Sequence, residues 1–388
     1  MSSAGDGRPP SPDWSARLSD RRCEVEAAGR WRSPRTFDAL GPEGVLTDLG
    51  RPVVSFASND YLGLSAHPGV VAAAHRALDR WGAGSGGSRL ITGSRPVHDE
   101  LERAIAGWKG TEGAVCFPTG FAANLAVLSV LAGPGTRILS DELNHASIID
   151  GCRLSRAEVE IYRHGDADHV AALLSRTTMP TVVVTDSVFS MDGDAAPLGA
   201  LAEACRRSGA MLVIDEAHAV LGPDPGADVT EQLLVVRVGT LSKTLGSLGG
   251  FAAGPSVVVD LLVNLARPYI FTTAASPADA AAALAALGIL RSPEGEALVA
   301  KLGRLVERVA PGHASPIVPV VMGSEQRAVE ASATLLEQGL WVPAIRPPTV
   351  PPGTSRLRVT LSAAHTDAQV DRLVGALGRL APPRPGRV

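Results

Sequence analysis

Between Gly113 and Gly239 the chain alternates short apolar runs with helical stretches, and this alternation restricts the fold more than any other feature. Gly113–Phe117, Arg137–Ser140, Thr181–Val188, Ala210–Ile214 and Leu233–Val238 read as strands. The run TVVVTDSV is apolar without the alternation of a half-exposed strand, as a strand covered on both faces requires. Helical segments over Phe121–Leu131, from Asn144 to Gly151, and over Leu198–Ser208 fall between the strands. Strands alternating with helices give a mostly parallel sheet with both faces covered.

The flanks differ in texture. Residues 1 to about 13 are polar and proline-bearing and are expected to be disordered. A charged helix follows over roughly Trp14–Arg30, then a strand at Val53–Ala57 and helices at His67–Trp81 and His98–Trp108 around a glycine-rich loop, 82–95. Beyond about residue 275, alanine- and leucine-rich helices run to Val309. Strands Ile317–Met322 and Leu357–Leu361 flank a helix at Ala328–Gln338, and a last helix spans Ala368–Leu380. This reads as an α+β C-terminal domain. The expected organisation is an N-terminal arm (1–52), a large domain (53–273) and a small domain (274–388), within the range a chain of 388 residues allows.

Composition excludes several function classes. Net charge is −4 without a basic stripe, and aromatics make up 4%, so nothing supports nucleic-acid binding. The four cysteines, Cys23, Cys116, Cys152 and Cys205, form no Cys-x-x-Cys pair, so neither a zinc site nor a disulfide framework is indicated. A reducing cytoplasm suits them. The N-terminus lacks the basic-then-apolar pattern of a signal peptide. Ala274–Leu290, the most apolar long segment, contains Pro277 and Asp279 and reads as a buried helix, not a membrane span.

Polar residues collect where the proposed strands end, which is where open α/β sheets bind ligands. Lys243 lies in GTLSKTLGSLGG, directly after Leu233–Val238. Desolvation favours its uncharged, nucleophilic amine, whereas a Gly/Ser loop carrying a solvated lysine has the same pattern. Asp215 follows AMLVI, and His218 follows in DEAH. A buried carboxylate needs a cation or donors; a turn-capping aspartate fits the same position. His145, after Asn144 at a helix start, reads as a cap, a core residue or a ring face for an aromatic ligand. The N–H groups of Gly120 and Phe121 open a helix and suit an anion. GAGSGG (82–87) satisfies a dinucleotide fingerprint but follows a helix, and Lys243-Thr244 lacks the glycine spacing of a phosphate-binding loop, so both readings fail on context.

In order along the chain, SNDYLGL, GAGSGGSRLITG, HASIIDG, TDSVFSMDGD, IDEAH, TLSKTLG and IRPPTVPPGTSRLRVTLSAAHT resemble the α-oxoamine synthases, fold-type I enzymes that use pyridoxal 5'-phosphate. The resemblance runs from about Arg21 to Leu380. The last motif, Ile345–Thr366, is similar to the branch of that family that forms 8-amino-7-oxononanoate. Two places depart from the family pattern. HAVLGPDPG (His218–Gly226) is shorter than usual, with Ala219 in place of glycine, and Pro118-Thr119 replace a pair of serines before Gly120.

The resemblance implies a large domain with a mostly parallel seven-stranded sheet and a smaller α+β C-terminal domain. It implies that Lys243 carries the cofactor as an imine and later acts as base, that Asp215 holds the pyridine nitrogen protonated, and that His145 stacks on the ring and steers the acyl group. His218 and Ser190 contact the ring hydroxyl, and Gly120, Phe121 and Thr240 bind the phosphate. Thr273 reaches the phosphate of a neighbouring subunit, so a homodimer with shared sites is expected. Arg358 pairs with the amino-acid carboxylate, while Arg356, on the same strand face, is expected to be a structural or surface charge. Thr349 matches a substrate-contacting position, and Arg30 is the best match to an N-terminal substrate arginine. The implied reaction joins L-alanine to a pimeloyl thioester, of coenzyme A or a carrier protein, with loss of carbon dioxide, in biotin biosynthesis. A sister reaction with another amino acid or thioester, an aminotransferase, and a non-catalytic relative are the alternatives. Neither membrane nor metal is implied.

Overall fold

The computed structural model describes residues 13–222, 224–226 and 233–380. The expected disorder of the first residues therefore falls almost wholly outside the described chain, as does Pro223 of the shortened loop.

Strands β1 (Phe37–Ala39), β2 (Glu43–Leu46) and β3 (Arg51–Ser55) form an antiparallel meander. The central sheet contains β4 (Gly113–Phe117), β5 (Arg137–Asp141), β6 (Glu158–Tyr162), β7 (Thr181–Asp186), β8 (Met211–Asp215), β9 (Val235–Thr240) and β10 (Gly250–Gly254). Its seven strands run in the order β4-β10-β9-β8-β7-β5-β6. All neighbouring pairs are parallel except those of β10, which is antiparallel to β4 and β9.

The apolar run of β7 shows why this sheet is covered twice. Val182 and Val184 enter the core under the helices Gly120–Leu131 and Ala146–Ser155. Val183 enters the opposite core, under Ala167–Leu174 and Leu198–Ser208. Leu212, Val213 and Ile214 of β8 divide the same way, and all are fully buried. Each such side chain contributes roughly 1.5–3 kcal/mol.

The C-terminal part holds β11 (Ile317–Gly323), β12 (Leu340–Trp341), β13 (Ala344–Ile345) and β14 (Ser355–Thr360), with helices Glu325–Glu337 and Asp367–Leu380. β14 lies between β11 and β13. β12 leaves that sheet and pairs in parallel with β3, fastening the N-terminal meander to the C-terminal part. A third core is continuous across both parts: Ala114, Leu241 and Phe251 of the large domain share it with Val318, Leu357 and Leu373. This shared packing fixes β14 against the ends of the central strands.

Candidate active site

The parallel strands β7, β8 and β9 deliver their last residues to one end of the sheet. Asp186 and Asp215 are register partners there, both buried. Asp215 Oδ1 accepts the Ala217 N–H at 2.9 Å, and Oδ2 accepts from Asn124 Nδ2 at 2.6 Å. Asn124 Nδ2 also reaches Ser147 Oγ at 2.9 Å, while Asn124 Oδ1 is buried without a partner among the described residues. Asp186 Oδ2 accepts the His145 backbone N–H at 2.9 Å. Burial, and then the charge of Asp215, push the Asp186 carboxyl well above the usual carboxylate range.

Lys243 sits in a tight turn after β9. The Gly246 N–H donates to the Lys243 carbonyl at 3.0 Å, and Ser247 N–H donates to the Leu241 carbonyl at 2.9 Å. Gly246 has φ +59° and lies so close to Ser65 that a Cβ would come within 2.3 Å of its backbone nitrogen, so only glycine closes this turn. Lys243 Nζ stands 2.8 Å from His218 Nε2. Burial lowers the lysine's pKa below its ordinary value; Asp215 and Asp186 pull it back up and Arg358 adds to the depression. Burial, with Lys243, Arg358 and His145 nearby, holds His218 well below the usual imidazole range. Its Nδ1 lies 2.5 Å from the Tyr61 hydroxyl.

On the far side of β9, Thr119 caps the helix Gly120–Leu131, its Oγ1 accepting the Ala122 N–H at 3.0 Å. The substitution of Pro118-Thr119 for serines thus keeps a hydroxyl at the cap. The Gly120 and Phe121 N–H groups come before Ala123, whose N–H makes the first backbone bond of the helix, to the Thr119 carbonyl, and so stand at its positive end. Thr240 adjoins them: a Cβ on Gly120 would stand 3.2 Å from Thr240 Cβ. Thr240 Oγ1 accepts the Ser242 N–H at 3.2 Å and lies 2.7 Å from Ser242 Oγ. His145 is solvent-exposed, with Phe121 edge-on to its ring at a centroid distance of 6.4 Å and its Nδ1 2.8 Å from Ser147 Oγ.

From the C-terminal part, β14 contributes Arg358, buried beneath this floor. Its Nε donates to the Ser190 carbonyl at 2.6 Å, Nη1 to Thr360 Oγ1 at 2.9 Å and Nη2 to Asn59 Oδ1 at 3.1 Å. Its remaining terminal N–H groups lie beside the Tyr61 hydroxyl and are of the kind that matches a carboxylate. Arg356 is a structural charge, not a surface one: it is buried, and its Nη1 pairs with Asp192 two residues beyond Ser190. Alternate residues of β14 therefore grip one loop, because residues two apart on a strand share a face.

Lys243, Asp215, His218, His145, Thr240, Gly120, Phe121, Ser190 and Arg358 thus meet at one end of the sheet. Thr273 lies elsewhere, exposed and bridged to Ser88 of the glycine-rich loop. Thr349 lines a cleft of about 520 Å³ with Trp31, Arg32, Trp341 and Arg346. Arg30 is exposed just past the N-terminal helix, whose end is tied down by Arg346 Nη1 donating to the Gly29 carbonyl at 2.5 Å. Asn59, Tyr61, Asn124 and Asp186 belong to the site although the residue pattern gave them no individual role. Signals for them existed: Asp186 ends β7 as Asp215 ends β8, Asn124 is an amide inside an apolar helix, and Asn59 and Tyr61 lie in SNDYLGL.

The sequence pattern of the family described as aminotransferase class I and II matches residues 51–377. An 8-amino-7-oxononanoate synthase of Anaeromyxobacter dehalogenans is 50% identical over 384 residues, covering 93% of this chain and 95% of the relative. That of Paraburkholderia xenovorans is 46% identical, covering 94% and 97%. Among solved structures, a serine palmitoyltransferase from S. paucimobilis with bound PLP and myriocin superposes with a TM-score of 0.87 at 30% identity, covering 95% of this chain and 98% of that one. An 8-amino-7-oxononanoate synthase from Francisella tularensis superposes with a TM-score of 0.70 at 25% identity, covering 84% and 97%.

Proposed function

The chain belongs to the aminotransferase class I and II family, in its 8-amino-7-oxononanoate synthase group, and from that membership we propose that it joins L-alanine to a pimeloyl thioester, releasing carbon dioxide and the thiol. Pyridoxal 5'-phosphate is the cofactor. The donor set fits that group. A buried, depressed amine, a buried carboxylate anchored by Asn124 and Ala217, a neutral imidazole and two free helix N–H groups beside a threonine hydroxyl match its aldehyde, ring nitrogen, ring hydroxyl and phosphate. The observation that carries the reading is the 2.8 Å approach of Lys243 Nζ to neutral His218, one strand away from Asp215.

When bound, the protonated ring supplies the electron sink for a carbanion at the alanine α-carbon. Asp215 would keep the proton on the ring nitrogen, since a carboxylate at that atom favours the charged form. Gly120, Phe121 and Thr240 would hold the phosphate. His218 and Ser190 would orient the ring hydroxyl, and His145 would cover one ring face from the solvent side. Arg358 would take the alanine carboxylate on its guanidinium. Lys243 Nζ, first the attachment point, then takes the α-proton; its lowered pKa suits a base that must work neutral. His145 is also assigned to the thioester carbonyl. Thr273 is assigned to the phosphate of a second subunit, which makes the functional unit a homodimer. Thr349 and Arg30 are assigned to the acyl substrate, at the rim formed by the N-terminal arm. A cytoplasmic setting agrees with the unpaired cysteines, and no described helix is long and apolar enough to cross a membrane.

Two tests bear on this reading. Lys243→Ala is expected to lose the visible absorbance of bound cofactor in its imine form and all turnover; retained turnover refutes the assignment. Parallel assays with alanine, glycine and serine are expected to release thiol with alanine, and release with glycine alone refutes the amino-acid assignment.

A further inference from the structure

Five polar groups form an unbroken line through the site. Lys243 Nζ lies 2.8 Å from His218 Nε2, and His218 Nδ1 lies 2.5 Å from the Tyr61 hydroxyl. That hydroxyl donates to Asn59 Oδ1 at 3.3 Å, and the same Asn59 oxygen accepts from Arg358 Nη2 at 3.1 Å. We propose that Tyr61 is a positioning residue that selects the tautomer of His218 and, through it, sets the protonation of Lys243. The proposal rests on reading Lys243 as the working amine.

Burial and the surrounding Lys243, Arg358 and His145 keep His218 neutral. A neutral imidazole has one N–H and one lone pair. An ammonium at Lys243 has no lone pair, so it donates to Nε2. The ring N–H then stands on Nδ1 and needs an acceptor, and the buried Tyr61 hydroxyl occupies that position. Tyr61 passes its own hydrogen to Asn59 Oδ1, an atom that only accepts. Every donor in this direction has an acceptor. After Lys243 releases a proton to solvent, the opposite arrangement is also satisfied, with Nε2–H donating to the neutral amine and Tyr61 donating to Nδ1. A phenol serves both arrangements; a phenyl ring serves neither.

Tyr61→Phe strands an Nδ1–H in a buried site, which carries a penalty. The ring then prefers Nε2–H, and that N–H faces Lys243. It suits a neutral amine and repels an ammonium, so the lysine's protonation midpoint falls. Asp215 and Asp186, which favour the ammonium, are not partners of Tyr61. Arg358, which opposes it, loses the Tyr61 hydroxyl but keeps the Ser190 carbonyl, Thr360 and Asn59.

The chain has only three lysines, Lys109, Lys243 and Lys301, so full-length protein labelled with ¹³C at lysine Cε and freed of cofactor gives a spectrum in which each can be followed against pH. In Tyr61→Phe the Lys243 midpoint is expected to fall by about one unit, the size of one hydrogen bond to a charged group, with Lys109 and Lys301 titrating as in the parent. A parallel sample carries 3-fluorotyrosine at the three tyrosines, which keeps the fold and makes the phenol a poorer acceptor. It is expected to shift Lys243 in the same direction by less. A Lys243 midpoint that stays in place or rises in Tyr61→Phe, with the other two lysines at parental positions, overturns the proposal. Should that variant not fold, an unmoved midpoint in the fluorotyrosine sample overturns it. The titration reads Lys243 whichever amino acid the enzyme uses, so its failure is separable from failure of the substrate assignment.

Discussion

Replacing Glu216 by glutamine tests whether the end of β8 is held by a buried charge network. Glu216 follows Asp215 directly, and its side chain is 1% exposed. Oε2 meets Lys109 Nζ at 2.5 Å, and Oε1 pairs with Arg237 Nε. The two cations are themselves 4% and 5% exposed, so one carboxylate is shared by two desolvated cations. Arg237 has a second partner in Asp224 of the shortened loop, and it donates to the Lys109 carbonyl at 3.0 Å. Removing one member of a buried ion pair costs about 3–5 kcal/mol, because the partner charge is left unpaired. Glutamine keeps an acceptor and the shape, and Asp224 remains, which places the expected loss near the lower figure, about 3 kcal/mol. With a urea slope of about 3 kcal/mol per molar, the unfolding midpoint falls by about 1 M. The control is Glu203→Gln, which breaks exposed pairs with Arg206 and Arg207 and is expected to leave the midpoint nearly where it is, because exposed pairs are screened by solvent. Equal, small losses in both variants refute the claim that Glu216 anchors the Asp215 strand end.

Two further outcomes follow from local geometry. His164 bridges Asp141 Oδ1 at 3.0 Å and Asp194 Oδ2 at 2.7 Å; burial opposes its charge, but both bonds overcome this and raise its pKa above the ordinary 6.5. A raised folded pKa gives stability that is complete below 6.5 and fades as pH climbs through the folded value. The deficit of His164→Gln in urea melts is thus expected to be largest near the acid end and to narrow with rising pH; a deficit that widens contradicts the assignment. A Cβ on Gly250 would lie 2.5 Å from Gly120 N and the Thr119 carbonyl carbon, so Gly250→Ala displaces the helix start. Cofactor titration is expected to show affinity lowered by at least about tenfold, or roughly 1.4 kcal/mol, and unchanged affinity contradicts the placement of the phosphate there.

The sequence pattern carried the central sheet well where strands are apolar runs between helices, as in β7 and β8, and poorly where they are not. β10 reads GFAAG, too small and glycine-rich to resemble a strand. It exists because Gly239 leaves room for the Phe251 ring, which a Cβ there would meet at 2.5 Å. β6 is a half-exposed edge, and β1 and β2 are short and mostly exposed, so neither shows a buried face in sequence. Within the site, Lys243, Asp215 and His218 were legible because each follows an apolar strand. Tyr61 and Asn59 were marked only by the motif SNDYLGL and not by role, because their partners His218 and Arg358 are 157 and 299 residues away in the chain. Arg356 is the structural charge expected of it, but nothing local announces Asp192 as its partner.

The most direct test of the assigned chemistry is mass spectrometry of the products formed from L-alanine with pimeloyl-coenzyme A and, in parallel, with a pimeloyl carrier protein. 8-Amino-7-oxononanoate with stoichiometric carbon dioxide and free thiol is expected from at least one donor, and none of these from Lys243→Ala. Transfer of the amino group without loss of carbon dioxide, or no condensation with either donor from cofactor-loaded enzyme, contradicts that chemistry.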